Sequence, residues 1–339
     1  MKNLACLFCV ILLAASSLSA FQHYRQGKIK VAIVKNNTEG PRVMAESGLT
    51  ERLQQMGCDV EDISTVELTP AEKREYGDWN MDALESRSIG KLIAKNRKDE
   101  RFIIGLLTNC TDLLGMLAGL QHLGPEMTAS EADHRSLQRE GLTGMKPLRV
   151  GLIYIDAHAD FNTPETTLSG MLGGMDVAVA AGMCLTRLRL KTGLDPALPT
   201  RYIVLGGLRD VDPLEQELLD RSNCEYLSVQ DFRDPNGTEI DRQMKRLSQL
   251  TDVIYVHIDM DVLDPAEVRG HPLTAPEGPT SQELSDALKR MFSYNKTAAI
   301  GIASLPFGER DKDKISLKAS YRLIEGAIKG VKTRTQTSK

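Results

Sequence analysis

Positive charge is in no surplus in this sequence: 42 Lys and Arg stand against 46 Asp and Glu, a net charge of −4. Without a broad basic face, nucleic acid and anionic membrane are not expected partners. Clustered cysteine is also missing. Of six cysteines, Cys6 and Cys9 fall in an N-terminal apolar segment, and Cys58, Cys110, Cys184 and Cys224 lie far apart. That spacing fits neither a zinc cluster nor a dense disulfide framework, although one or two disulfides remain open after export. No apolar run approaches the roughly 20 residues of a comfortable membrane span. The longest, Leu4 to Ala15, sits between one Lys and a small-residue stretch suited to cleavage near Ser19 or Ala20. This is the layout of a signal peptide over residues 1–20, and it predicts a secreted or periplasmic protein. An uncleaved anchor is the other reading; the lack of Arg disfavours a mitochondrial leader. Nor does any repeat, low-complexity tract or linker divide residues 21–339, which are expected to form one domain.

What is present is ordinary globular chemistry, 41% hydrophobic and 26% charged. Short runs rich in Val and Ile recur at 29–35, 101–107, 148–155, 201–208, 253–258 and 298–305. They are nearly continuous rather than alternating, as strands buried on both faces are. Helical spacing fills the intervals: 48–57 ends on Gly57, and 280–292 opens on Thr280 with Glu283 downstream, a capping pattern. Such alternation predicts an α/β fold with a mainly parallel, doubly wound sheet. Residues 124–147 are polar and read as an exposed helix with loops, and the basic stretch from Lys329 reads as a frayed tail.

Ligands of open parallel sheets bind beyond the carboxyl ends of the strands. Two of these ends are rich in potential ligands. "YIDAHADFN" carries Asp156, His158 and Asp160, and "VIYVHIDMDVLDP" carries Asp259 and Asp261. While the chain stays extended, period-2 spacing keeps each set on one side. Taken singly, each acid is a solvated turn or a cap; together, four carboxylates and an imidazole at one place cannot ionise without a counter-charge. One or two divalent cations would supply it, and an oxygen-rich set favours Mn²⁺ or Mg²⁺. His257, two residues before Asp259, reads as an outer partner that orients a carboxylate. His134 and His271 lie in polar, loop-like contexts and read as solvated surface, whereas His122 follows an apolar helix and reads as packed.

The pair "DAHAD" and "HIDMDVLDP", with "EGPRVMAESGLTERLQQMGCDV", "GGLRDVDPLE" and "APEGPTSQEL", resembles the ureohydrolases: arginase, agmatinase, formimidoylglutamase and their relatives. The resemblance implies a three-layer α/β/α fold and two Mn²⁺ bridged by a hydroxide that attacks a guanidinium or amidine carbon. It implies Asp156, His158, Asp160, Asp259 and Asp261 as metal ligands, with Asp156 and Asp259 bridging. It also implies Asn162 and Asp212 as residues holding the amino-acid end of a substrate, with Asp210 nearby. A homo-oligomer is expected on the same ground.

The pattern breaks at three places. Where the family has Gly-Gly-Asp-His, this chain has "LLTNCTDLLG", which puts Cys110 at the place of a metal-binding His. A thiolate there would weaken the second site and turn it toward zinc; the bland alternative is a buried thiol. "TTLSGM" places Ser169 where arginases have a His thought to move protons, and "IGIASLP" places Ala303 where a Glu pairs with guanidinium. The expected function is therefore a metal-dependent hydrolase of a linear amidine or guanidino compound other than arginine. The alternatives are a ureohydrolase-fold binding protein with little catalysis and, more distantly, a deacetylase-like amide hydrolase.

Overall fold

A computed structural model of the chain describes residues 28–96, 101–122 and 146–337. The expected signal segment, Cys6, Cys9, His134 and nearly all of 124–147 lie outside them. Nine strands form one sheet: β1 (Ile29–Lys35), β2 (Cys58–Val60), β3 (Ser64–Thr65), β4 (Phe102–Leu106), β5 (Val150–Ile155), β6 (Ile203–Gly206), β7 (Glu225–Leu227), β8 (Val253–Asp259) and β9 (Thr297–Ala303). Their order is β2-β1-β4-β9-β8-β5-β6-β7, with β3 also on β1, and the pairings are parallel. Each of the six apolar runs is a strand. Those of β4, β5 and β8 are buried at every position, because helices cover both faces.

Alternate residues of each strand feed two cores. Ile153, Ile155, Ile254, Val256, Ile300 and Ile302 point to a layer built from α4 (Thr238–Leu250), α5 (Ser281–Met291), α6 (Ile315–Thr337) and the short helices over 39–55. Leu152, Tyr154, Tyr255 and Ala299 point to the opposite layer, with α1 (Asp78–Lys95), α2 (Leu113–Gln121), α3 (Pro213–Asp220) and the short helices over 176–192. This is the three-layer α/β/α architecture. In α4 the buried residues Ile240, Gln243, Met244 and Leu247 follow the i, i+3, i+4, i+7 spacing of one helical face. Full burial of Ile240, Met244 and Leu247 contributes about 1.5–3 kcal/mol each. α5 starts where its sequence signal places it: the Thr280 hydroxyl accepts from the Glu283 N–H, and Glu283 accepts from the Thr280 N–H (2.8 Å).

Two expectations change. The stretch from Lys329 is not frayed but continues α6, because buried Arg334 donates to the carbonyls of Tyr294 (2.9 Å), Asn295 (3.1 Å) and Thr297 (3.0 Å). The four cysteines of the described chain are all free thiols, so none of the disulfides left open by export is formed among them.

Strand order places the chemistry. The chain leaves β4 and returns as β5 with β9 and β8 lying between them. A crevice at such a reversal collects the carboxyl ends of β4, β9, β8 and β5. Arg334→Ala should lower unfolding free energy by about 2 kcal/mol, since three carbonyls lose a charged donor. Denaturant titration checks this; an unchanged midpoint would mean that the end of α6 adds nothing.

Candidate metal centre

β5 and β8 pair directly, with Ile155 opposite Ile258, so their last residues open onto the same crevice. The two motifs are held by one local device. The His158 N–H donates to Asp156 Oδ1 (2.8 Å), and the Asp261 N–H donates to Asp259 Oδ1 (2.9 Å). Each leading Asp thus closes an Asx turn onto the residue two positions on, which fixes its carboxylate plane. In both residues Oδ2 then faces Cys110, while Oδ1 faces the imidazole side. Asp156 Oδ1 lies 3.2 Å from His158 Nδ1, and Asp259 Oδ1 lies 3.9 Å from His271 Nε2.

Three donor groupings result among the described residues: Cys110, Asp156 and Asp259; Asp156, His158 and Asp261; Asp259, Asp261 and His271. Asp156, Asp259 and Asp261 each belong to two of them. Cys110, on the single turn after β4, reaches across β9 to Asp259 Oδ2 (2.7 Å) and faces Asp156 Oδ2 (4.0 Å). Across that gap β9 offers only Gly301 and Ala303 on this face, so nothing bulky intervenes.

Asp160 departs from the expected line. The strand ends at Ile155, and Asp160 itself turns at φ 47°, so period 2 does not survive to its position. Its carboxyl takes the Tyr154 hydroxyl and lies outside the three groupings. Asn162 and Asp212 do meet: Asn162 Nδ2 donates to Asp212 Oδ2 (3.1 Å), at the start of α3. Asp210 is exposed and stands 3.8 Å from His158 Nε2. Ser169 is on the surface, hydrogen-bonded within its own loop, and residues 163–175 contain no histidine. Ala303 is fully buried and provides no anion.

His271 corrects an expectation. Rather than sitting in solvent, its side chain is 7% exposed and stands over Asp259 and Asp261. Its loop has no periodicity from which this could be read. His257 does lie behind the site, but its partners are the Tyr255 hydroxyl at Nδ1 (2.8 Å) and the Cys110 sulfur at Nε2 (3.4 Å), not a carboxylate. His122 is packed, as its helix predicts, with Nε2 3.4 Å from the Gly193 carbonyl. Besides Tyr255, three further residues escaped the sequence reading. The Ser304 hydroxyl donates to Asp259 Oδ2 (2.6 Å). The Tyr154 ring stacks on His257 at 5.1 Å. Asp176, a lone acid in the apolar "GMDVAVA", is fully buried with neither carboxylate oxygen partnered. Only Tyr154, Tyr255 and Asp176 had a signal: period-2 alignment with the ligands, or an acid inside an apolar helix.

Electrostatics show what is missing. Burial and the charge of Asp156 push Asp259 up to about 6 and Asp261 well above the carboxylate range. Burial also raises Asp160 and Asp176 strongly, with repulsion from Asp156 adding to it. Burial opposes ionisation of Asp156 too, yet the His158 donors prevail and hold it low. Burial likewise opposes charge on His158, but Asp156 and Asp261 outweigh it and raise the imidazole to about 11. Arg209 spends its donors on the carbonyls of Gly207, Pro276, Ala275 and Asp261, not on carboxylates. Asp261 Oδ1 is buried without a partner. An oxygen-rich donor set with an orphaned carboxylate oxygen and too little positive charge fits a divalent cation.

The comparisons follow that geometry. The profile of the arginase family matches residues 134–305. Arginase of Bacillus caldovelox is 24% identical over 298 residues, covering 80% of this chain and 92% of that protein. Arginase-1 of Homo sapiens is 29% identical over 243 residues, 67% of this chain and 66% of that one. Among solved structures, Bacillus caldovelox arginase superposes with a TM-score of 0.72 at 22% identity, covering 89% of this chain and 98% of that one. Formimidoylglutamase of Bacillus subtilis gives 0.65 at 14%, covering 91% and 88%. At such identities the superpositions establish a shared fold.

Loading of a divalent cation should release the proton that His158 holds. Because the raised pKa keeps that proton bound near neutrality, affinity should rise with pH, by about tenfold per unit for each proton displaced. Calorimetry with Mn²⁺ in buffers of different ionisation enthalpy would count the protons. Affinity independent of pH from about 6 to about 8 would mean that loading displaces no proton from His158 or from the raised carboxyls beside it.

Proposed function

Because the chain belongs to the arginase family, we propose that it is a metal-dependent hydrolase that cleaves a C–N bond of a linear amidine or guanidino compound, with Mn²⁺ as cofactor. Arginase relatives are hydrolases of carbon–nitrogen bonds. The observation that carries the reading is the pair of bifunctional carboxylates, Asp156 and Asp259, each turned by its Asx turn toward two donor groupings at once. Asp156, His158, Asp259 and Asp261 would hold one cation; Asp156 and Asp259 would share a second, with Asp160 held near it by Tyr154. When bound, such cations lower the pKa of water and polarise the group it attacks.

The protein's own residues would then select and orient substrate. Asn162 and Asp212 form a polar pair suited to an amino or carboxylate end, and Asp210 adds an exposed acid beside His158. Ala303 removes a bidentate anion from the place where a guanidinium would be gripped, and Ser169 cannot relay a proton as a tuned imidazole does. A substrate with a smaller or less basic reacting end than arginine suits these losses. The same losses favour a second reading, a binding protein that keeps the metal platform but has little turnover. The apolar N-terminal segment supports action after export.

A screen of urea and ammonia release from arginine, agmatine, guanidinobutyrate, formimidoylglutamate and free guanidine, with Mn²⁺ present, separates the two. The hydrolase reading expects turnover on one of these, with arginine poor. Asp259→Asn should reduce it by at least about 100-fold, the upper end of what loss of even an outer partner costs. Bound metal with no release from any of them favours the binding reading; failure to bind metal removes both.

A further inference from the structure

Cys110 is the residue that a purely oxygen-and-imidazole centre leaves unexplained. It is 4% exposed, as a packed thiol would be, but its sulfur does not face hydrocarbon alone. Asp259 Oδ2 is 2.7 Å away, His257 Nε2 3.4 Å and Asp156 Oδ2 4.0 Å. Ligands at about 2.3 Å (S) and about 2.0 Å (O) around a tetrahedral ion stand roughly 3.5 Å apart, and the two carboxylate distances bracket that value. The unpartnered, buried Oδ1 of Asp261 belongs to the two neighbouring groupings, which share Asp156 and Asp259 with this one.

Behind the sulfur lies a second structure with no evident use for a bland thiol. The Tyr255 hydroxyl meets His257 Nδ1 at 2.8 Å, and Tyr154 stacks on the imidazole with an interplanar angle of 9°. The notch that admits the Tyr255 hydroxyl is Gly301, where any Cβ would collide with that oxygen. All three side chains are fully buried. A metal-bound thiolate carries no hydrogen, so the His257 contact then requires N–H on Nε2, and Nδ1 accepts from the Tyr255 O–H. A hydrogen bond delivered to a ligating sulfur from a fixed ring is what tunes and orients a thiolate ligand.

Resting on the metal reading above, we infer that Cys110 is a metal-binding thiolate, backed by a Tyr255–His257 relay, and that it makes the position shared with Asp156 and Asp259 select zinc. The neighbouring position at Asp156, His158 and Asp261 keeps the harder oxygen-and-imidazole set that suits Mn²⁺. The loaded centre is therefore mixed. On binding, the S–H bond of Cys110 breaks, the proton passes to solvent and a metal–sulfur bond forms, with no change of oxidation state.

The test uses the full chain and Co²⁺ as a spectroscopic stand-in for zinc. An intense near-ultraviolet sulfur-to-cobalt charge-transfer band is expected, retained when Cys58, Cys184 and Cys224 are each replaced by Ser. Cys110→Ser should abolish the band, and Cys110→His, which keeps a ligand of similar reach, should abolish it while cobalt stays bound. Tyr255→Phe should shift the band and weaken cobalt binding about 10–100-fold, as loss of an outer partner does. Exposed to equimolar Zn²⁺ and Mn²⁺, the protein should retain both. Cobalt bound without the band, or two Mn²⁺ retained and no zinc, would overturn the inference while leaving the metal reading intact. No bound metal at all would overturn both.

Discussion

Two buried carboxylates, Asp156 and Asp259, stand at the ends of adjacent parallel strands, and their repulsion is the constraint around which the rest of the site is arranged. In water such a pair costs little; under a sheet edge closed by helices, burial first and then repulsion from the pair raise Asp160, Asp176 and Asp261 well out of the carboxylate range. A fold keeps such a set only if something compensates it. The imidazolium of His158 does so in part, and the orphaned oxygens of Asp261 and Asp176 show that it does not finish the task. The Asx turns after β5 and β8 preserve the geometry in which a cation could, because they hold each carboxylate by one oxygen and turn the other toward Cys110.

The frame around that pair does not by itself fix the chemistry inside it. An arginase backbone is matched at a TM-score of 0.72 with only 22% identity, yet the position next to Asp259 is a thiol and the buried position after Ile302 is Ala303. This separation is physically reasonable. Layer packing tolerates many apolar exchanges of similar volume, whereas the groups lining one crevice set the reaction. The small residues of β9 join the two levels. Gly301 and Ala303 keep the sheet face open, so that Cys110 from β4 approaches Asp259 on β8, and Tyr255 reaches His257 beneath them.

Much of this could be read from the chain alone. The six strands followed from continuous Val- and Ile-rich runs, α5 from its capping pair Thr280 and Glu283, and the main donors from acids spaced two apart at strand ends. What failed did so for identifiable reasons. Asp160 was aligned with Asp156 by a period that ends at Ile155. Arg334 looked like part of a polar tail because its three acceptors lie about 40 residues earlier in sequence.

His271 and Cys110 mark the same boundary from the side of function. Local sequence determined which residues carry ligand chemistry and which turns orient Asp156 and Asp259, since those depend on neighbours within a few positions. It had no means to determine that His271 would fold over Asp261, or that a cysteine 149 residues before Asp259 would come to within 2.7 Å of it. Those meetings are set by strand order and helix packing. Only burial in a common core brings such distant groups together, and only there, away from water, do their charges act on one another strongly.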